Sequence, residues 1–459
     1  MEHIVIDRAL KAAKHLHFIG IGGSGMCPLV EILHSEGYRI TGSDSNESET
    51  LSRVEALGIP VFMGQRAENI DGSDMIVYTA ALLPDNPELV AAKASGIPTF
   101  ERAKLLGAVT RRYSDCVCVC GTHGKTTVTA MLTQIMLTAG LDPTAVIGGR
   151  LPLTNSNGLV GKSEHMVCEA CEFQDTFLQL SPDVAVILNV DKDHMEYFKT
   201  IRNLIASFRK FASMAKKAVI YNGDDLNTRR VLDGLQVKRA IPFGRSEGNV
   251  FRAVNVAMEG AFAGYDLHYN GEYLTSIRLQ IPGEHNVLNS LAAFAAAMLS
   301  GASILDCERG AAEFRGAGRR FEMLGTHRGV AVADDYAHHP KELEAALAAA
   351  KRMPFRRVWA VFQPFTFSRT AMLLDDFAKA LSLADRVVLT KIMGAREVNT
   401  YGISTADLAA KIPGSVWFEE FGEAAGYGVE HARPDDLVLT LGCGDIYKAA
   451  HMMIEKWGT

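Results

Sequence analysis

The chain has 459 residues, of which 48% are hydrophobic and 22% charged, and its formal net charge at pH 7 is −6. These values are typical of a globular protein and disfavour general nucleic-acid binding, which normally needs a basic surface. No apolar run reaches the roughly 18 residues that cross a bilayer, and the N-terminus lacks the pattern of a secretory signal. The cysteines lie on apolar segments, which favours a reducing compartment. We therefore expect a cytoplasmic enzyme with no membrane or nucleic-acid partner.

Short apolar runs alternate with helical patterns along the whole chain, as in α/β folds with parallel sheets. Early runs such as "HLHFI", "YRITGSD" and "MIVYTAAL" predict strands, and "MCPLVEILHSEG" predicts a helix. Later strands are predicted at "VAVILNV", "KAVIYNG", "GVAVADD", "RVWAVF", "RVVLT" and "LVLTL". Polar or glycine-rich breaks at "TRRYSD" and "RGAGRRFEML" divide the chain into three α/β domains, at residues 1–112, 113–318 and 319–459.

A glycine-rich turn follows the first apolar run. Gly20, Gly22 and Gly25 stand between "HLHFI" and the first helical pattern, and Asp44 ends the next run. Such glycines allow a tight turn in which backbone N–H groups approach a pyrophosphate at a helix N-terminus. The loop therefore predicts a phosphate-bearing ligand. It suits the dinucleotide cofactor of a dehydrogenase and the diphosphate of a nucleotide-sugar equally well.

Three alternating cysteines precede a second glycine-rich turn in "CVCVCGTHGKTT". On a strand, Cys116, Cys118 and Cys120 point to one side, with successive Cβ atoms about 6.6 Å apart. One zinc ion could not bind all three without distorting the strand, and no CxxC pair lies nearby to complete a tetrahedral site. We interpret the cysteines as small buried side chains of a core strand that leads into the turn.

The turn Gly121-Thr122-His123-Gly124-Lys125-Thr126-Thr127 is a shortened phosphate loop. It keeps Gly-Lys-Thr but lacks the four-residue spacing of the usual pattern. Its backbone N–H groups would hold phosphates, Lys125 would pair with β- and γ-phosphate oxygens, and Thr126 would bind Mg²⁺. A hydride-transfer enzyme needs no second phosphate loop with a lysine, so the two loops together disfavour a dehydrogenase.

Acidic residues and histidines follow several other apolar runs. Glu169 and Glu172 follow one run, and the next is followed by Asp191, Asp193 and His194. Because α/β sheets bind ligands at the carboxyl ends of their strands, we expect these groups to provide ligands for a hard cation. The adjacent pair His338 and His339 in "DDYAHHP" does not favour a metal site, since neighbouring histidines point in divergent directions. In "PGEHNVLN", His285, Asn286 and Asn289 are compatible with helix capping or with ligand contacts.

These segments resemble the Mur ligases and occur in that family's order. They are "GIGGSGM", "GTHGKTT", "EACEF", "DKDH", "PGEHNVLN", "GAGRRFE", "DDYAHHPKE", "QPFTFSRT" and "GCGDIY", and together they span essentially the whole chain. The resemblance is strongest to the branch that adds L-alanine to UDP-N-acetylmuramate. It implies ATP-dependent ligation of L-alanine to the lactyl carboxylate through an acyl phosphate, with release of ADP and phosphate, in peptidoglycan precursor synthesis. The implied cofactors are ATP and Mg²⁺, and the implied assembly is a monomer or homodimer.

The resemblance also implies a fold and a role for individual residues. The domains would be an N-terminal Rossmann-like UDP-sugar domain, a central P-loop ATPase-like parallel-sheet domain and a C-terminal Rossmann-like amino-acid domain. The UDP-sugar would contact Gly22, Gly23, Ser24, Gly25, Met26, Asp44 and Thr79. ATP would contact the loop from Gly121 to Thr127, Asn286, Asn289, Arg319 or its neighbour Arg320, and Asp334. The catalytic residues would be Lys125, Glu172 and His194, with Thr126, Glu172 and His194 as magnesium ligands. The amino acid would contact Tyr336, His338, His339 and Arg369, with Arg369 binding a carboxylate.

Several positions depart from the family pattern. Phe365 stands where the family usually has histidine, Cys171 replaces an acid before Glu172, and Glu196 replaces an aspartate. None of these removes a group essential to phosphoryl transfer. The segment "LIASFRKFA" lacks the Ala-Lys pair of the ligases that act later in the pathway, which favours the alanine-adding branch.

Two other functions remain open from the sequence. A recycling ligase that joins a preformed peptide to the same UDP-sugar would share most of these motifs. A nucleotide-sugar-binding regulator without catalytic activity would keep the fold, although the retained Lys125, Glu172 and His194 argue against it.

Overall fold

A computed structural model describes residues 2–395 and 397–458 of the chain. The chain forms two compact units. The first comprises residues 1–254, 267–275 and 288–311, and the second comprises residues 255–266, 276–287 and 312–459.

The first sheet of unit 1 is wholly parallel and has the strand order β3-β2-β1-β4-β5. Its strands are β1 (His15–Ile19), β2 (Arg39–Asp44), β3 (Val61–Met63), β4 (Met75–Tyr78) and β5 (Thr99–Glu101). Its helices are α1 (Glu2–Ala12), α2 (Cys27–Ser35), α3 (Glu49–Ala56), α4 (Pro87–Ala94) and α5 (Arg102–Thr110). The strand order reverses between β1 and β4, and ligands bind at such switch points in open α/β sheets.

The second sheet of unit 1 contains the cysteine strand. Its strands are β6 (Asp115–Cys120), β7 (Thr144–Leu151), β8 (Ser156–Leu159), β9 (His165–Glu169), β10 (Val184–Ile187), β11 (Ala218–Asn222) and β12 (Ala240–Gly244), in the order β12-β11-β10-β6-β9-β7-β8. Only β8 is antiparallel to its neighbour among these pairs. The helices in this part of the chain are α6 (Lys125–Thr138), α7 (Met195–Phe198), α8 (Ile201–Ser213) and α9 (Leu226–Leu232). The order reverses at β6, which places the end of that strand at a second switch point.

The predicted burial of the three cysteines is confirmed. Cys116, Cys118 and Cys120 are each 0% exposed, and the Sγ atoms of Cys116 and Cys118 lie 3.6 Å apart without a disulfide. Hydrogen bonds with Cys116 and Cys168, together with burial, raise the pKa of the Cys118 thiol well above its usual range, and burial does the same for the pKa of the Cys120 thiol. These thiols are therefore neutral core groups.

Three further strands and two helices contain residues of both units. They are β13 (Phe251–Glu259), β14 (Phe262–Tyr269), β15 (Glu272–Pro282), α10 (Asn286–Leu299) and α11 (Ile304–Glu313).

The third sheet lies in unit 2 and has the order β16-β17-β21-β18-β19-β20. Its strands are β16 (Glu322–His327), β17 (Val330–Asp335), β18 (Arg357–Phe362), β19 (Arg386–Thr390), β20 (Val416–Phe418) and β21 (Asp436–Leu441). All neighbours are parallel except β16 and β17. The helices are α12 (Pro340–Lys351), α13 (Phe367–Met372), α14 (Leu374–Leu381), α15 (Thr405–Ala410), α16 (Phe421–His431) and α17 (Tyr447–Gly458).

The predicted fold class is confirmed, since the chain is α/β with three sheets whose cores are parallel. The apolar runs that predict strands in the sequence form β1, β2, β4, β6, β10, β11, β17, β18, β19 and β21. The domain boundaries at residues 112 and 318 stay predictions. Within the described part of the chain, no helix combines the length and apolar character that a membrane span requires.

Candidate functional site

The second glycine-rich turn connects β6 to α6 and has the backbone of a phosphate loop. Gly121 and Gly124 have φ values of 143° and 88°, which L side chains rarely adopt. Gly124 is the N-cap of α6, so the positive end of the helix dipole and its unbonded N–H groups face the turn. Such a helix N-terminus favours anionic ligands.

Lys125 is the first residue of α6, and its ammonium folds back onto the loop. Its Nζ donates to the carbonyl oxygens of Gly121 at 2.6 Å and Thr122 at 3.2 Å, and it forms an ion pair with Glu172 at 2.9 Å. Burial lowers the pKa of Lys125, but the charges of Glu172, Cys171 and Glu169 and the hydrogen bond to Glu172 together outweigh it and hold that pKa above its ordinary range. A permanent positive charge therefore lies beside the loop.

Thr126 points to a different carboxylate from the one that pairs with Lys125. Its hydroxyl donates to Oε1 of Glu169 at 3.1 Å, and Oε2 of Glu169 accepts from the backbone N–H of Gly148 at 2.7 Å. The sequence identifies Glu169 as acidic and near the site, but gives no sign that it, rather than Glu172, contacts Thr126.

The backbone of the loop is held by the segment that follows β10. Asn189 accepts from the N–H of His123 at 2.8 Å and donates to its carbonyl at 3.0 Å. The hydroxyl of Thr122 accepts from the N–H of Asp191 at 2.9 Å. Sequence reasoning missed Asn189, whose role could have been inferred only from its place at the end of a strand next to β6.

His194 lies on the same segment at the start of α7. Its φ is 55°, its ring is 4.7 Å from the ring of Phe173, and its Nδ1 is 3.4 Å from Oε1 of Glu196. Phe173 adjoins Glu172 in the chain, so the segments after β9 and β10 meet here. Glu196, one of the departures from the family pattern, is thus a direct neighbour of this histidine.

The oxygen donors around the loop fit Mg²⁺ bound together with phosphate. In proteins Mg²⁺ usually takes one or two carboxylates plus substrate phosphates and water. Thr126, Glu169 and Glu172 provide such donors. Over residues 2–395 and 397–458, no group of three or more His, Cys, Asp and Glu side chains is arranged to hold a metal ion. The oxygen donors of Thr126, Glu169 and Glu172 suit a cation that is shared with phosphate.

Asn289 is brought to the phosphate loop within unit 1. A Cβ atom built on Gly124 would lie 2.6 Å from Oδ1 of Asn289, and this asparagine is 7% exposed. Asn286 belongs to unit 2, where its Nδ2 donates to the carbonyl of Pro282 at 2.7 Å. The two predicted ATP-binding asparagines therefore lie in different units.

The first glycine-rich turn is braced by Asp44. Oδ2 of Asp44 accepts from the N–H of Gly22 at 2.9 Å, and Oδ1 accepts from the N–H groups of Ser45 and Asn46. A Cβ on Gly20 would lie 2.7 Å from Cγ2 of Thr79, so the turn after β4 packs on this loop. Gly23 and Ser24 are exposed, Gly25 is half-buried, and Met26 is buried in the core.

Arg102, which sequence reasoning missed, brings a positive charge to this turn. Its guanidinium would lie 3.1 Å from a Cβ on Gly25, and its Nη1 donates to the Gly25 carbonyl at 3.5 Å. Arg102 begins α5 after β5, beyond the reach of any local motif. A cation here suits a phosphate-bearing ligand at the turn.

In unit 2, Arg319 and Asp334 form an ion pair in which Nε is 2.7 Å from Oδ2. Arg319 also donates to the carbonyls of Gly442 and Gly444 at 2.7 and 3.0 Å, and its guanidinium lies between the rings of Tyr336 and Tyr447. These contacts join the ends of β17 and β21 and give Arg319 a structural role.

The residues predicted to bind the amino-acid substrate lie around the start of α12 and on α13. Tyr336 packs edge-on against the ring of His338 at 5.7 Å, and Nδ1 of His338 is 3.3 Å from Oε2 of Glu342. His339 caps α12 by accepting from the N–H of Lys341 and is 7% exposed. Arg369 lies on α13 and is half-buried.

Three family models match the chain. Residues 15–114 match the model described as the Mur ligase family, catalytic domain, residues 119–297 match the Mur ligase middle domain, and residues 319–444 match the Mur ligase, glutamate ligase domain. The chain belongs to the Mur ligase family.

Within this family, the chain is similar to ligases that act on UDP-N-acetylmuramate. The UDP-N-acetylmuramate–L-alanine ligase of Caldanaerobacter subterraneus subsp. tengcongensis is 42% identical over 454 residues, which are 97% of this chain and 98% of that protein. The UDP-N-acetylmuramate-alanine ligase of Thermotoga maritima superposes with a TM-score of 0.83 at 28% identity, covering 97% of this chain and 99% of that one. A murein peptide ligase from Psychrobacter arcticus shares the fold, with a TM-score of 0.76 at 22% identity over 97% of this chain and 99% of that one.

Proposed function

We propose that the chain uses ATP to join L-alanine to the lactyl carboxylate of UDP-N-acetylmuramate in peptidoglycan precursor synthesis. The main support is the phosphate loop, where Lys125 at the N-terminus of α6 pairs with Glu172 at 2.9 Å. The identity of 42% to a curated L-alanine ligase over nearly the full length of both chains supports the substrates. The reaction takes place in the cytoplasm, where ATP and the nucleotide-sugar are available.

The chemistry explains why such a loop is needed. A carboxylate is a poor electrophile, so the γ-phosphoryl group of ATP is first transferred to the lactyl oxygen and ADP leaves. The amine of L-alanine then attacks the carbonyl carbon of the acyl phosphate and loses a proton, and phosphate departs as the amide forms. Two anions must approach each other in the first step. A fixed cation and oriented N–H groups stabilise the charge that develops there.

Each loop has its own task in this proposal. Lys125 and the N-terminus of α6 hold the β- and γ-phosphates, while Asn289 lies against the loop at Gly124. Bound Mg²⁺, which Thr126 with Glu172 and His194 would hold, supplies further charge neutralisation. The first loop, braced by Asp44 and flanked by Arg102 and Thr79, holds the diphosphate of the UDP-sugar. Tyr336, His338, His339 and Arg369 position L-alanine, and Asp334, Asn286 and Arg319 or Arg320 support the nucleotide.

A substrate competition assay tests the proposal. Purified protein receives UDP-N-acetylmuramate, ATP and Mg²⁺ with either L-alanine or the tripeptide L-alanyl-γ-D-glutamyl-meso-diaminopimelate. ADP release and product mass are then measured. We expect L-alanine-dependent ADP release and a product heavier by one alanyl residue, with no turnover when the UDP-sugar is omitted. Turnover with the tripeptide alone would assign the chain to the recycling reaction, and UDP-sugar binding without any ADP release would assign it to the regulator class.

A further inference from the structure

The hairpin of β7 and β8, residues 144–159, contacts the surroundings of both glycine-rich loops within unit 1. Its strands are antiparallel, and β7 also pairs in parallel with β9 through Thr144, Ala145 and Val146. The first four residues of β7 and the first three of β8 are buried. The first half of β7 and most of β8 are therefore fixed in the sheet.

On β7 the hairpin holds the carboxylate that orients Thr126. The N–H of Gly148 donates to Oε2 of Glu169, whose Oε1 accepts the Thr126 hydroxyl proton. A Cβ on residue 148 would lie 2.4 and 2.5 Å from the two oxygens of Glu169, so the carboxylate fills the space of a side chain. Because Thr126 donates its hydroxyl proton to Glu169, this carboxylate sets the orientation of the Thr126 hydroxyl.

On β8 the hairpin holds the first glycine-rich loop. Nδ2 of Asn157, a residue 7% exposed, donates to the backbone carbonyl of Ser24. Arg53 on α3 donates to Asn157 Oδ1 at 3.4 Å and to Ser156 Oγ at 2.5 Å, and it also pairs with Glu31 on α2. A buried side chain of β8 is thus bonded to the loop backbone that would face the diphosphate.

We propose that the hairpin of residues 144–159 positions the two phosphate-binding loops relative to each other, through Gly148 of β7 with Glu169 and through Asn157 of β8. Glu169 and Asn157 are positioning residues, which act through Thr126 and Ser24. The inference rests on the proposed function, since it takes the first loop to bind the UDP-sugar and the second to bind ATP. It adds that binding at either loop is energetically linked to binding at the other.

Two substitutions test this linkage without relying on turnover. Gly148→Ala keeps an allowed backbone but displaces Glu169, and Asn157→Ala removes the bond to Ser24. The first readout is the Kd of UDP-N-acetylmuramate, measured by calorimetry with and without a non-hydrolysable ATP analogue. The second is the affinity of the analogue complex for Mn²⁺, measured by electron paramagnetic resonance. Leu153→Ala at the exposed hairpin tip and Gly422→Ala in open space on α16 are the matched controls.

The expected results follow from the role of each contact. Gly148→Ala weakens Mn²⁺ binding about 10- to 100-fold, as loss of an outer-shell partner of a metal ligand does. Asn157→Ala weakens UDP-sugar binding about 3- to 10-fold, the usual effect of one lost hydrogen bond. Each variant also changes the affinity measured at the distant loop, and the double variant shows less than the product of the single effects. The controls match wild type.

The inference would be overturned if the contact of Gly148 with Glu169 and the contact of Asn157 with Ser24 affected ligand binding independently. In that outcome Gly148→Ala changes only Mn²⁺ binding and Asn157→Ala changes only UDP-sugar binding. The fold-changes measured for the double variant then equal the product of those of the single variants. If either alanine variant unfolds, Asn157→Asp and Glu169→Gln, which preserve side-chain shape, are read in the same way. A wild-type protein that shows the linkage but does not ligate L-alanine contradicts the proposed function alone. Ligation without linkage contradicts the hairpin inference alone.

Discussion

The ammonium nitrogen of Lys125 lies 2.9 Å from Oε2 of Glu172, and the side chains of these residues are 15% and 2% exposed. The pair joins the first turn of α6 to the segment after β9. Because the neighbouring acidic groups, Glu172 foremost, together outweigh burial in setting the pKa of Lys125, this lysine stays protonated across the physiological pH range. Its charge can therefore serve phosphate binding at any working pH.

Replacement of Lys125 by alanine separates phosphate chemistry from UDP-sugar binding. We expect Lys125→Ala to lower kcat for L-alanine-dependent ADP release by about 10³-fold, since one preorganised charge at a transition state contributes this much. The Kd of UDP-N-acetylmuramate in the absence of nucleotide should stay within about twofold, less than the effect of one lost hydrogen bond, because Lys125 contacts Gly121, Thr122 and Glu172 around the second loop. Steady-state kinetics and calorimetry measure the two quantities. Lys210→Ala, at an exposed position on α8, is the control, and unchanged turnover in Lys125→Ala would refute the assignment of the loop.

A side chain at position 124 should deform the phosphate loop. Gly124 has a φ of 88°, and a Cβ there would lie 2.6 Å from Oδ1 of Asn289. Gly124→Ala should therefore reduce the free energy of unfolding by about 1–2 kcal/mol from the left-handed backbone alone. It should also raise the KM for ATP. Chemical denaturation and initial-rate kinetics check both, with Gly422→Ala as the glycine control. An unchanged KM for ATP would show that the loop does not hold the nucleotide.

Asp44 should be needed for UDP-sugar binding because it fixes the backbone of the first loop. Its carboxylate accepts from the N–H groups of Gly22, Ser45 and Asn46. We expect Asp44→Ala to weaken UDP-N-acetylmuramate binding about 10-fold, the effect of about 1.4 kcal/mol of lost hydrogen bonding. Calorimetry without nucleotide measures the change. Asp71→Ala, at an exposed position of the same sheet domain, should bind as wild type does, and equal affinities in all three proteins would contradict the role of Asp44.

The sequence predicts those parts of the site that are continuous in the chain. The phosphate loop is readable because a buried strand, two glycines and a lysine occur within a dozen residues of one another. The strands are readable because strands covered on both faces are apolar throughout, as "CVCVC" and "VAVI" are.

The contacts that assemble the site are not readable in the same way. Which carboxylate meets Thr126 depends on the pairing of β9 with β7 and β6, and the sequence places Glu169 and Glu172 equally near. Asn189, Arg102 and Asn157 each act on a backbone carbonyl or N–H of a distant loop. The sequence does not show which backbone N–H or carbonyl group donates or accepts a particular hydrogen bond. The partner of such a group can be identified only when the strand order is known.

Arg319 and its neighbour Arg320 should differ in their effect on stability. Arg319 pairs with Asp334, whose side chain is 2% exposed, and it donates to two carbonyls at the end of β21. Arg319→Ala leaves a buried carboxylate without its cation, which costs about 3–5 kcal/mol of unfolding free energy. Arg320 stacks on the Tyr336 ring at 5.1 Å. Arg320→Ala should lower the free energy of unfolding by about 1 kcal/mol or less. Denaturant titration compares the two variants, and equal losses would remove the structural distinction between them.

Because of Asp335, the free energy of unfolding of unit 2 should depend on pH in the mildly acidic range. Burial raises the pKa of its carboxyl from 3.8 to about 6, against the opposing charge of Arg320 and the N–H groups of Phe321 and Ala337. Between about pH 4 and pH 6 the folded chain therefore binds more protons at this group than the unfolded chain. The Asp335 contribution to the free energy of unfolding accordingly falls as pH rises through this window and is constant above it, with a total change of about 3 kcal/mol.

The contribution is isolated by comparing wild type with Asp335→Asn across that window. We expect the difference in unfolding free energy between the two proteins to vary from pH 4 to pH 6 and to level off above pH 6.5. The pH dependence that Asp335 contributes is lost in the variant. Asp375→Asn, whose side chain is 88% exposed, should follow the wild-type slope. A ¹³C titration of the Asp335 carboxyl provides the direct measurement. A midpoint near pH 4 would mean that its two backbone donors and Arg320 outweigh burial, and the stability of unit 2 would then owe nothing to this proton.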